Sequence, residues 1–210
     1  IGRFFYYLIL GFEMKAVRNM VNSFAELKVC AETVELLKQM GIKKPMPVQE
    51  QAIPALFAGR DVIARAQTGT GKTLAYLCPI ISRLSDTTKN IQAIILVPNG
   101  ELASQINKQL EDIFSYDNCP YSSMFVTGEG NINRQLEALK HKPAILVGTP
   151  ARVYQLINIK KLKVHEVKTI VLDEADKLLG KTYIEHVYSI RKSLMKYTQV
   201  LLFSASIDKK

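Results

Sequence analysis

Six short apolar runs alternate with segments of helical periodicity, and this alternation limits the folds open to the chain. Runs that are this short and this continuously apolar are typical of strands buried on both faces of a parallel sheet. The predicted strands are 62–64, 93–97, 124–126, 144–147, 169–172 and 200–203. The predicted helices are 34–40, which Gly41 ends, and 48–57, 72–84, 101–114, 133–139, 152–157 and 184–196. The sequence therefore predicts an α/β fold, a mainly parallel sheet with helices on both faces, and ligands at the carboxyl ends of its strands.

The segment between the first predicted strand and the helix at 72–84 has the pattern of a phosphate-binding loop. Its residues are Ala66, Gln67, Thr68, Gly69, Thr70, Gly71, Lys72 and Thr73, with Ala66 in a place that glycine usually holds. The glycines let backbone N–H groups turn toward phosphate oxygens, and the helix dipole favours an anion at the same place. Lys72 adds a positive charge near the β- and γ-phosphates, and Thr73 can place a hydroxyl on magnesium. The alternative is a Gly/Thr-rich turn that arose by chance.

Three carboxylates follow the strand at 169–172, in the segment Asp173-Glu174-Ala175-Asp176. Like charges this close are costly unless a cation shares the site. We therefore predict that Asp173 holds the magnesium ion of a bound nucleotide, directly or through water. Glu174 is predicted to orient and polarise the attacking water, and Lys72 completes the predicted catalytic set. The alternative is a solvated helix start, because Asp and Glu favour the first helical turn.

The composition indicates one large domain with a polyanionic partner. The chain has 210 residues, is 48% hydrophobic and 22% charged, and carries a formal net charge of +9. A basic domain favours nucleic acid. Its three cysteines, Cys30, Cys78 and Cys119, include no CxxC pair. We interpret them as buried free thiols of a protein in a reducing, cytoplasmic setting.

Residues 1–21 are interpreted as an N-terminal extension, native or not, that lies outside the core fold. The apolar run at 4–12 is too short to span a bilayer, and Glu13-Met14-Lys15 follows where a signal peptide would need a small-residue cleavage site. The alternative for this run is a membrane or partner anchor.

Residues 24–210 resemble the first RecA-like domain of DEAD-box RNA helicases, a P-loop NTPase fold. The stretch 41–49 is similar to the Q motif of that family. The resemblance implies that Gln49 reads the adenine edge, and that Lys44 and the upstream aromatic Phe24 belong to the nucleotide site. Ile42 stands where the family often has an aromatic that packs on the base, so stacking is expected to be weaker. Residues 22–210 would then form the helicase ATP-binding domain, with the second RecA-like domain absent from this chain.

Ser204-Ala205-Ser206 resembles the Ser-Ala-Thr motif of the family. The resemblance implies that the two hydroxyls bond to the acidic segment, including Asp176, and couple the nucleotide state to domain closure. The alternative is a turn that ends a strand, since Ser is common there.

The segments that face RNA in this family depart from its pattern. Asn99 and Gly100 replace Thr and Arg in a Pro-Thr-Arg-Glu-Leu-Ala segment, and Glu129 stands in a glycine pair. The residues that the resemblance implies for RNA contact are Pro98, Gly100, Gly128, Thr149 and Arg152. Loss of one cation and gain of one anion predict RNA binding weaker than is usual in the family. The alternative is that Gly100 is neutral and compensated elsewhere.

The resemblance implies an ATP-dependent RNA helicase with ATP and Mg²⁺ as cofactors, and with RNA and a second RecA-like domain as partners. No membrane partner is expected, and the oligomeric state stays open. The isolated domain is expected to turn over slowly, because the arginine finger of the family belongs to the second domain. Two alternatives remain: an ATP-gated RNA clamp or RNP-assembly chaperone that unwinds little, and an enzyme that acts on DNA.

Overall fold

The computed structural model describes residues 21–67, 69–115 and 119–206. Its strands are β1 (Val62–Arg65), β2 (Ala93–Leu96), β3 (Ser123–Val126), β4 (Ile145–Gly148), β5 (Thr169–Asp173) and β6 (Gln199–Ser204). Its helices are α1 (Ala31–Gln39), α2 (Pro47–Phe57), α3 (Lys72–Ile81), α4 (Gly100–Phe114), α5 (Ile132–Leu139), α6 (Pro150–Asn158), α7 (Ala175–Leu178) and α8 (Ile184–Ser193).

The six strands form one sheet in the order β1-β6-β5-β2-β4-β3, and every pair in it is parallel. Strands β5 and β6, the last two in the sequence, lie between β1 and β2. The predicted α/β class with a parallel sheet is therefore confirmed. The order also divides the carboxyl edge of the sheet into two halves, one from β1, β6 and β5 and the other from β2, β4 and β3.

Helices cover both faces of the sheet, as predicted. Alternate residues of a strand point to opposite faces, so Ile95 packs into one core and Ile94 into the other. The first core takes side chains from α1 to α4, such as Tyr76 and Leu110. The second takes side chains from α5 to α8, such as Val153.

Residues at the helix ends explain where several helices begin and stop. Pro47 and Pro150 occupy the first turns of α2 and α6, where a missing N–H costs nothing. The Asn99 and Asn131 side chains cap α4 and α5 by accepting backbone N–H groups of the first turn. Gly41 follows α1 with φ +79°, a left-handed conformation that favours glycine.

The structure differs from the predictions at a few boundaries. Helix α3 ends at Ile81 and α8 at Ser193, each three residues earlier than predicted. Helix α8 stops because Leu194 has an extended backbone. The four-residue helix α7 was not predicted as an element, although a helix start was considered at that place. Of the cysteines only Cys78 is fully buried, and burial raises its pKa to about 12, while Cys30 and Cys119 are half-buried.

The predicted extension 1–21 lies outside the described residues except for Val21, which packs against the cluster around Phe24. Across the described part of the chain, no helix combines the length and apolar character needed to cross a bilayer.

Candidate functional site

The carboxyl ends of β1, β6 and β5 bring three predicted motifs side by side. Strand β1 pairs only with β6 among the described strands, and β6 pairs with β5 on its other side. The Ala66 N–H donates to the Ser204 carbonyl at 2.9 Å, so the phosphate loop begins directly beside the Ser204-Ala205-Ser206 segment. The acidic segment leaves β5 at the same edge.

The phosphate loop has the backbone that its sequence predicts. Gly69 and Gly71 have φ +80° and +83°, and Gly71 is the residue before the first turn of α3. The Thr70 hydroxyl donates to the Gln67 carbonyl at 2.6 Å, which closes the turn. Lys72 is largely buried at the start of α3. Thr68 lies outside the described residues.

Asp173 is 4% exposed and is held by two donors. The Tyr76 hydroxyl donates to Oδ2 at 2.9 Å, and the Glu174 N–H donates to Oδ1 at 2.9 Å. Burial raises the pKa of Asp173 above its usual range, although these hydrogen bonds and the charge of Lys72 act in the opposite direction. When Asp173 is ionised, its hydrogen bonds and the charge of Lys72 therefore do not fully offset the cost of burying the carboxylate.

Tyr76 is a site residue that sequence reasoning missed. Its ring is fully buried and packs edge-on against Phe203, with ring centroids 5.2 Å apart. Burial, followed by the charge of Asp173, raises the pKa of its hydroxyl well above the usual range, so Tyr76 remains a donor. Its place three residues after Thr73 on α3 was the only sequence signal, because positions i and i+3 share a helix face.

We expect Tyr76→Phe to lower the free energy of unfolding by about 1.5–3 kcal/mol at pH 7, because it removes a buried hydrogen bond to a carboxylate. Urea unfolding measures the change. Tyr183→Phe is the matched control, since its half-buried hydroxyl donates to the neutral Pro98 carbonyl at 3.0 Å. An equal loss in both variants would contradict a special role for the Asp173 contact.

A second prediction follows from the raised pKa of Asp173. A carboxyl of this kind contributes stability that is present below its unfolded pKa and is lost as the pH rises through its folded pKa. Asp173→Asn should therefore raise the melting temperature at pH 8 in magnesium-free buffer, and the gain should shrink as the pH falls. Thermal scans from pH 8 down to about pH 4, near the ordinary pKa of an aspartate, measure it, and Asp112→Asn on the exposed side of α4 is the control. A gain that grows toward low pH would contradict the sign.

The two residues predicted for magnesium, Thr73 and Asp173, both border the Tyr76 hydroxyl. Mg²⁺ usually keeps several waters and takes one or two protein oxygens together with substrate phosphates. A hydroxyl and one under-compensated carboxylate beside a phosphate loop fit that pattern. Within the described residues, no group of three or more His, Cys, Asp or Glu side chains is placed to hold a metal ion by itself.

Glu174 follows Asp173 with a left-handed backbone, φ +54° and ψ +49°, and precedes the first turn of α7. A non-glycine residue in this region is held there at a cost and is common at functional sites. The Lys177 ammonium lies 2.8 Å from the Glu174 Oε2. This contact raises the pKa of Lys177, which is mostly exposed. In this structure the predicted water-activating carboxylate thus has a cation of its own helix as neighbour.

Asp176 receives both of the hydroxyl contacts that the sequence predicts. The Ser204 hydroxyl lies 2.6 Å from Oδ1, and the Ser206 hydroxyl lies 3.0 Å from Oδ2. Partial burial acts to raise the pKa of Asp176, but these hydrogen bonds outweigh it and lower the pKa. The Ser204 Oγ also accepts from the Ser206 N–H at 3.2 Å, so the three residues form one small network. The role of this network in domain closure stays a prediction.

Gln49 is 1% exposed and links the Q-motif segment to the phosphate loop. Its amide oxygen accepts from the Met46 N–H at 2.8 Å, and its Nε2 donates to the Gly71 carbonyl at 2.9 Å. The structure thus gives Gln49 a bond to the loop that sequence reasoning did not foresee. Its predicted bond to adenine stays a prediction, and that bond would have to use the second N–H and the remaining lone pair of this buried amide.

The other two nucleotide-site residues predicted by resemblance lie apart from the loop contacts. Phe24 is fully buried in a cluster with Leu37, Ile53 and Cys78, so its observed contacts are packing contacts beneath α2 and α3. Lys44 is exposed on the segment before α2. Direct nucleotide contact by either residue stays a prediction.

The carboxyl ends of β2, β4 and β3 bring together the segments predicted to face RNA. The Val97 N–H donates to the Gly148 carbonyl at 3.0 Å, and the Thr149 N–H donates to the Val126 carbonyl at 3.1 Å. Pro98 is buried, whereas Thr149 is half-buried at the start of α6. Asn99 accepts the Leu102 N–H at 2.9 Å, so it caps α4 as a Thr could.

Arg152, which the resemblance implies for RNA contact, is buried against neighbouring segments. It is 8% exposed, and its guanidinium donates to the Gly128 carbonyl at 2.8 Å and to the Gln135 Oε1 at 2.9 Å. Gln135 in turn donates to the Thr127 carbonyl at 3.1 Å. Arg152 therefore fixes the loop that carries the exposed Gly128, and its direct contact with RNA stays a prediction.

Known proteins are similar to this chain over most of its length. Residues 46–210 match the sequence profile of the family described as DEAD/DEAH box helicase. The chain is 46% identical over 169 residues to a probable ATP-dependent RNA helicase, YfmL, of Bacillus subtilis, covering 80% of this chain and 44% of that protein. It is 39% identical over 187 residues to the ATP-dependent RNA helicase CshA of Listeria monocytogenes, covering 89% of this chain and 36% of that protein.

Two solved structures share the fold. A DEAD box protein from the hyperthermophile Methanococcus jannaschii has a TM-score of 0.82 at 33% identity, over 89% of this chain and 51% of that one. Dbp5 of S. cerevisiae, bound to RNA and ADP BeF3, has a TM-score of 0.81 at 31% identity, over 90% of this chain and 47% of that one. The chain thus spans about half or less of the relatives it matches. With a family profile matched from the Q-motif segment through the acidic segment to its last residue, this chain belongs to the DEAD/DEAH box helicase family.

Proposed function

We propose that this chain is the ATP-binding RecA-like domain of an ATP-dependent RNA helicase. The observation that carries the proposal is the convergence of the phosphate loop, Asp173-Glu174 and the Asp176–Ser204–Ser206 network at one edge of the sheet. Relatives named ATP-dependent RNA helicases and a neighbour bound to RNA and ADP BeF3 support it.

In this proposal the chain binds and orients ATP through groups already in place. The N–H groups of the loop and of the first turn of α3 receive the phosphates, and Lys72 neutralises their charge. Thr73 and Asp173 would hold Mg²⁺, which supplies charge neutralisation at the phosphates when bound. Glu174 orients the attacking water once it leaves Lys177, and Asp176 reports the nucleotide state to Ser204 and Ser206. The base would be read by Gln49, with Phe24 and Lys44 supporting that side of the site.

RNA would lie along the half of the edge formed by β2, β4 and β3, and a second RecA-like domain would complete the cycle. Backbone contacts there give affinity with little sequence preference. RNA-stimulated ATP hydrolysis and duplex unwinding, both measured on a longer chain that includes the second domain, test the proposal. A rate of ATP hydrolysis that does not rise when RNA is added would contradict the proposal. ATP hydrolysis with RNA binding but without unwinding would favour the clamp or assembly chaperone instead.

Gly100→Arg tests the RNA side of the proposal. A Cβ at Gly100 would lie 3.3 Å from the Thr127 Cγ2 and 3.5 Å from the Glu129 Oε2, so the Thr127 side chain must shift by a few tenths of an ångström to admit it. We expect higher RNA affinity and a salt slope steeper by about one unit, because the arginine adds one cation that can contact a phosphate. Salt-dependent RNA titration measures both. Gly100→Ala, which adds the Cβ without the charge, is the matched control, and unchanged affinity in Gly100→Arg would contradict the assignment.

A further inference from the structure

The edge of the sheet opposite the nucleotide site carries an excess of positive charge. Strands β5 and β6 begin at this edge, after the segments 159–168 and 191–197. The five residues of β5 span about 16 Å, which is the distance between the two edges of the sheet. The two segments together define what we call the amino-edge surface. Six exposed lysines lie on it: Lys160, Lys161, Lys163, Lys168, Lys192 and Lys196.

The two segments form one continuous surface. The Thr198 hydroxyl donates to the Val167 carbonyl at 2.9 Å, and the Gln199 N–H donates to the Lys168 carbonyl at 2.9 Å. Where α6 and α8 end, a cleft of about 370 Å³ is lined by Lys160 and Lys192 together with Asn158 and Ser193. Cations from both segments therefore face the same solvent region.

These lysines are not neutralised by the protein. In the described part of the chain, the lysines within 4.0 Å of a carboxylate are Lys38, Lys108, Lys140 and Lys177, and none of them belongs to this surface. Glu166, the one acidic residue of the two segments, lies against His165 and Asn90. Uncompensated like charges on one face raise the local potential and favour a polyanion.

Exposed apolar side chains stand among these lysines. Tyr197 is 69% exposed and follows Lys196, while Tyr188, Met195 and Ile159 are also well exposed. An aromatic ring beside cations offers a stacking platform for an unpaired base, in addition to phosphate contacts. This combination favours single-stranded nucleic acid over an anionic protein or a lipid surface.

We propose that the amino-edge surface is a second RNA-binding site, one that takes single-stranded RNA independently of nucleotide. The inference rests on RNA as the partner in the proposed function. The amino-edge surface lies on the edge of the sheet opposite Gly100 and Glu129. At those two positions the RNA-facing half has one cation fewer and one anion more than the family pattern, and the amino-edge surface supplies positive charge elsewhere on the domain. A strand leaving the ATP-gated edge would be held at a separate place on the same domain.

The test compares two triple variants of the 210-residue chain that lose the same charge. One is Lys160→Gln/Lys161→Gln/Lys192→Gln on the amino-edge surface, and the other is Lys28→Gln/Lys38→Gln/Lys108→Gln on exposed positions elsewhere. The probe is fluorescent oligo(U) RNA, titrated without nucleotide over a range of salt concentrations. The first variant should bind with a salt slope shallower by about 2, because three single-strand phosphate contacts are lost. Tyr197→Ala should weaken binding by about fivefold or more at any salt concentration.

The outcomes separate this site from the proposed function. Equal slopes for the two triple variants would overturn the amino-edge site, and so would binding to anionic phospholipid vesicles without binding to the RNA. Failure of the proposed function has another sign: a longer chain with the second domain would show no RNA-stimulated ATP hydrolysis, whichever lysines are present.

Discussion

Glu174→Gln is expected to abolish ATP hydrolysis while nucleotide binding is kept. In the proposed function this change removes the charge that would polarise the attacking water, and it leaves the side chain nearly the same size. A positioned general base contributes about 10²–10⁴ in rate, so turnover should fall by at least that factor. Binding should persist, because the Glu174 side chain contacts Lys177 rather than the phosphate loop. The measurement is RNA-stimulated phosphate release and fluorescent-nucleotide binding, on a longer chain that includes the second RecA-like domain.

Glu185→Gln is the control for this experiment, since it removes a carboxylate from the exposed first turn of α8, outside the nucleotide site. It should change neither quantity. Turnover that survives in Glu174→Gln would remove Glu174 from the water-activating role. Loss of nucleotide binding in the same variant would mean that the carboxylate holds the loop, directly or through the left-handed turn before α7.

Gly71→Ala is expected to have the second large effect, on the phosphate loop itself. A side chain at φ +83° costs about 1–2 kcal/mol. Its Cβ would also stand 2.3 Å from the Gln49 Nε2, so Gln49 would have to give up its bond to the Gly71 carbonyl. Forced repacking of this kind costs about 1–3 kcal/mol more. We expect lower stability in urea unfolding and a large loss of nucleotide affinity.

Gly69→Ala separates the two costs. Gly69 has nearly the same φ, +80°, but a Cβ there would meet nothing within 4 Å. Its loss of stability should therefore reflect the backbone alone, and the excess loss in Gly71→Ala should reflect the collision with Gln49. The double variant Gly71→Ala/Gln49→Ala should recover part of that excess. If the two single variants lose the same stability, the contact between Gln49 and the loop has no energetic weight.

Much of the fold could be predicted because it depends on local patterns. Strand β5 was placed from Thr169 to Leu172 by its apolar run, and the structure extends it by one residue to Asp173. The helix start after Gly71 was predicted from residues whose backbone preferences are strong, whereas α6 begins at Pro150, two residues before its predicted start. The phosphate loop was predictable for the same reason, since its function depends on consecutive residues.

Contacts between distant residues could not be predicted in this way. Tyr76 and Asp173 are 97 positions apart, and only the sheet order brings α3 against the end of β5. The same holds for Gln49 and Gly71, 22 positions apart. Arg152 is a further case, because the resemblance implies RNA contact and the fold places its guanidinium against the Gly128 carbonyl. The type of a residue predicts which chemistry it can perform, whereas the residues that it contacts in the fold depend on long-range packing.

The position of β6 has a consequence for the order in which the domain can form during synthesis. Strand β1 carries the phosphate loop but finds its strand partner in residues 199–204, which leave the ribosome more than 130 residues later. Before residues 199–204 are made, β1 has no neighbouring strand to form hydrogen bonds with. The edges of β1 and β5 are then open to pairing with other chains. Insertion of β6 between β1 and β5 joins residues that are far apart in the sequence, and such a step is expected to be slow. A nascent chain stalled before residue 199 should therefore be unable to bind nucleotide and should be prone to aggregation.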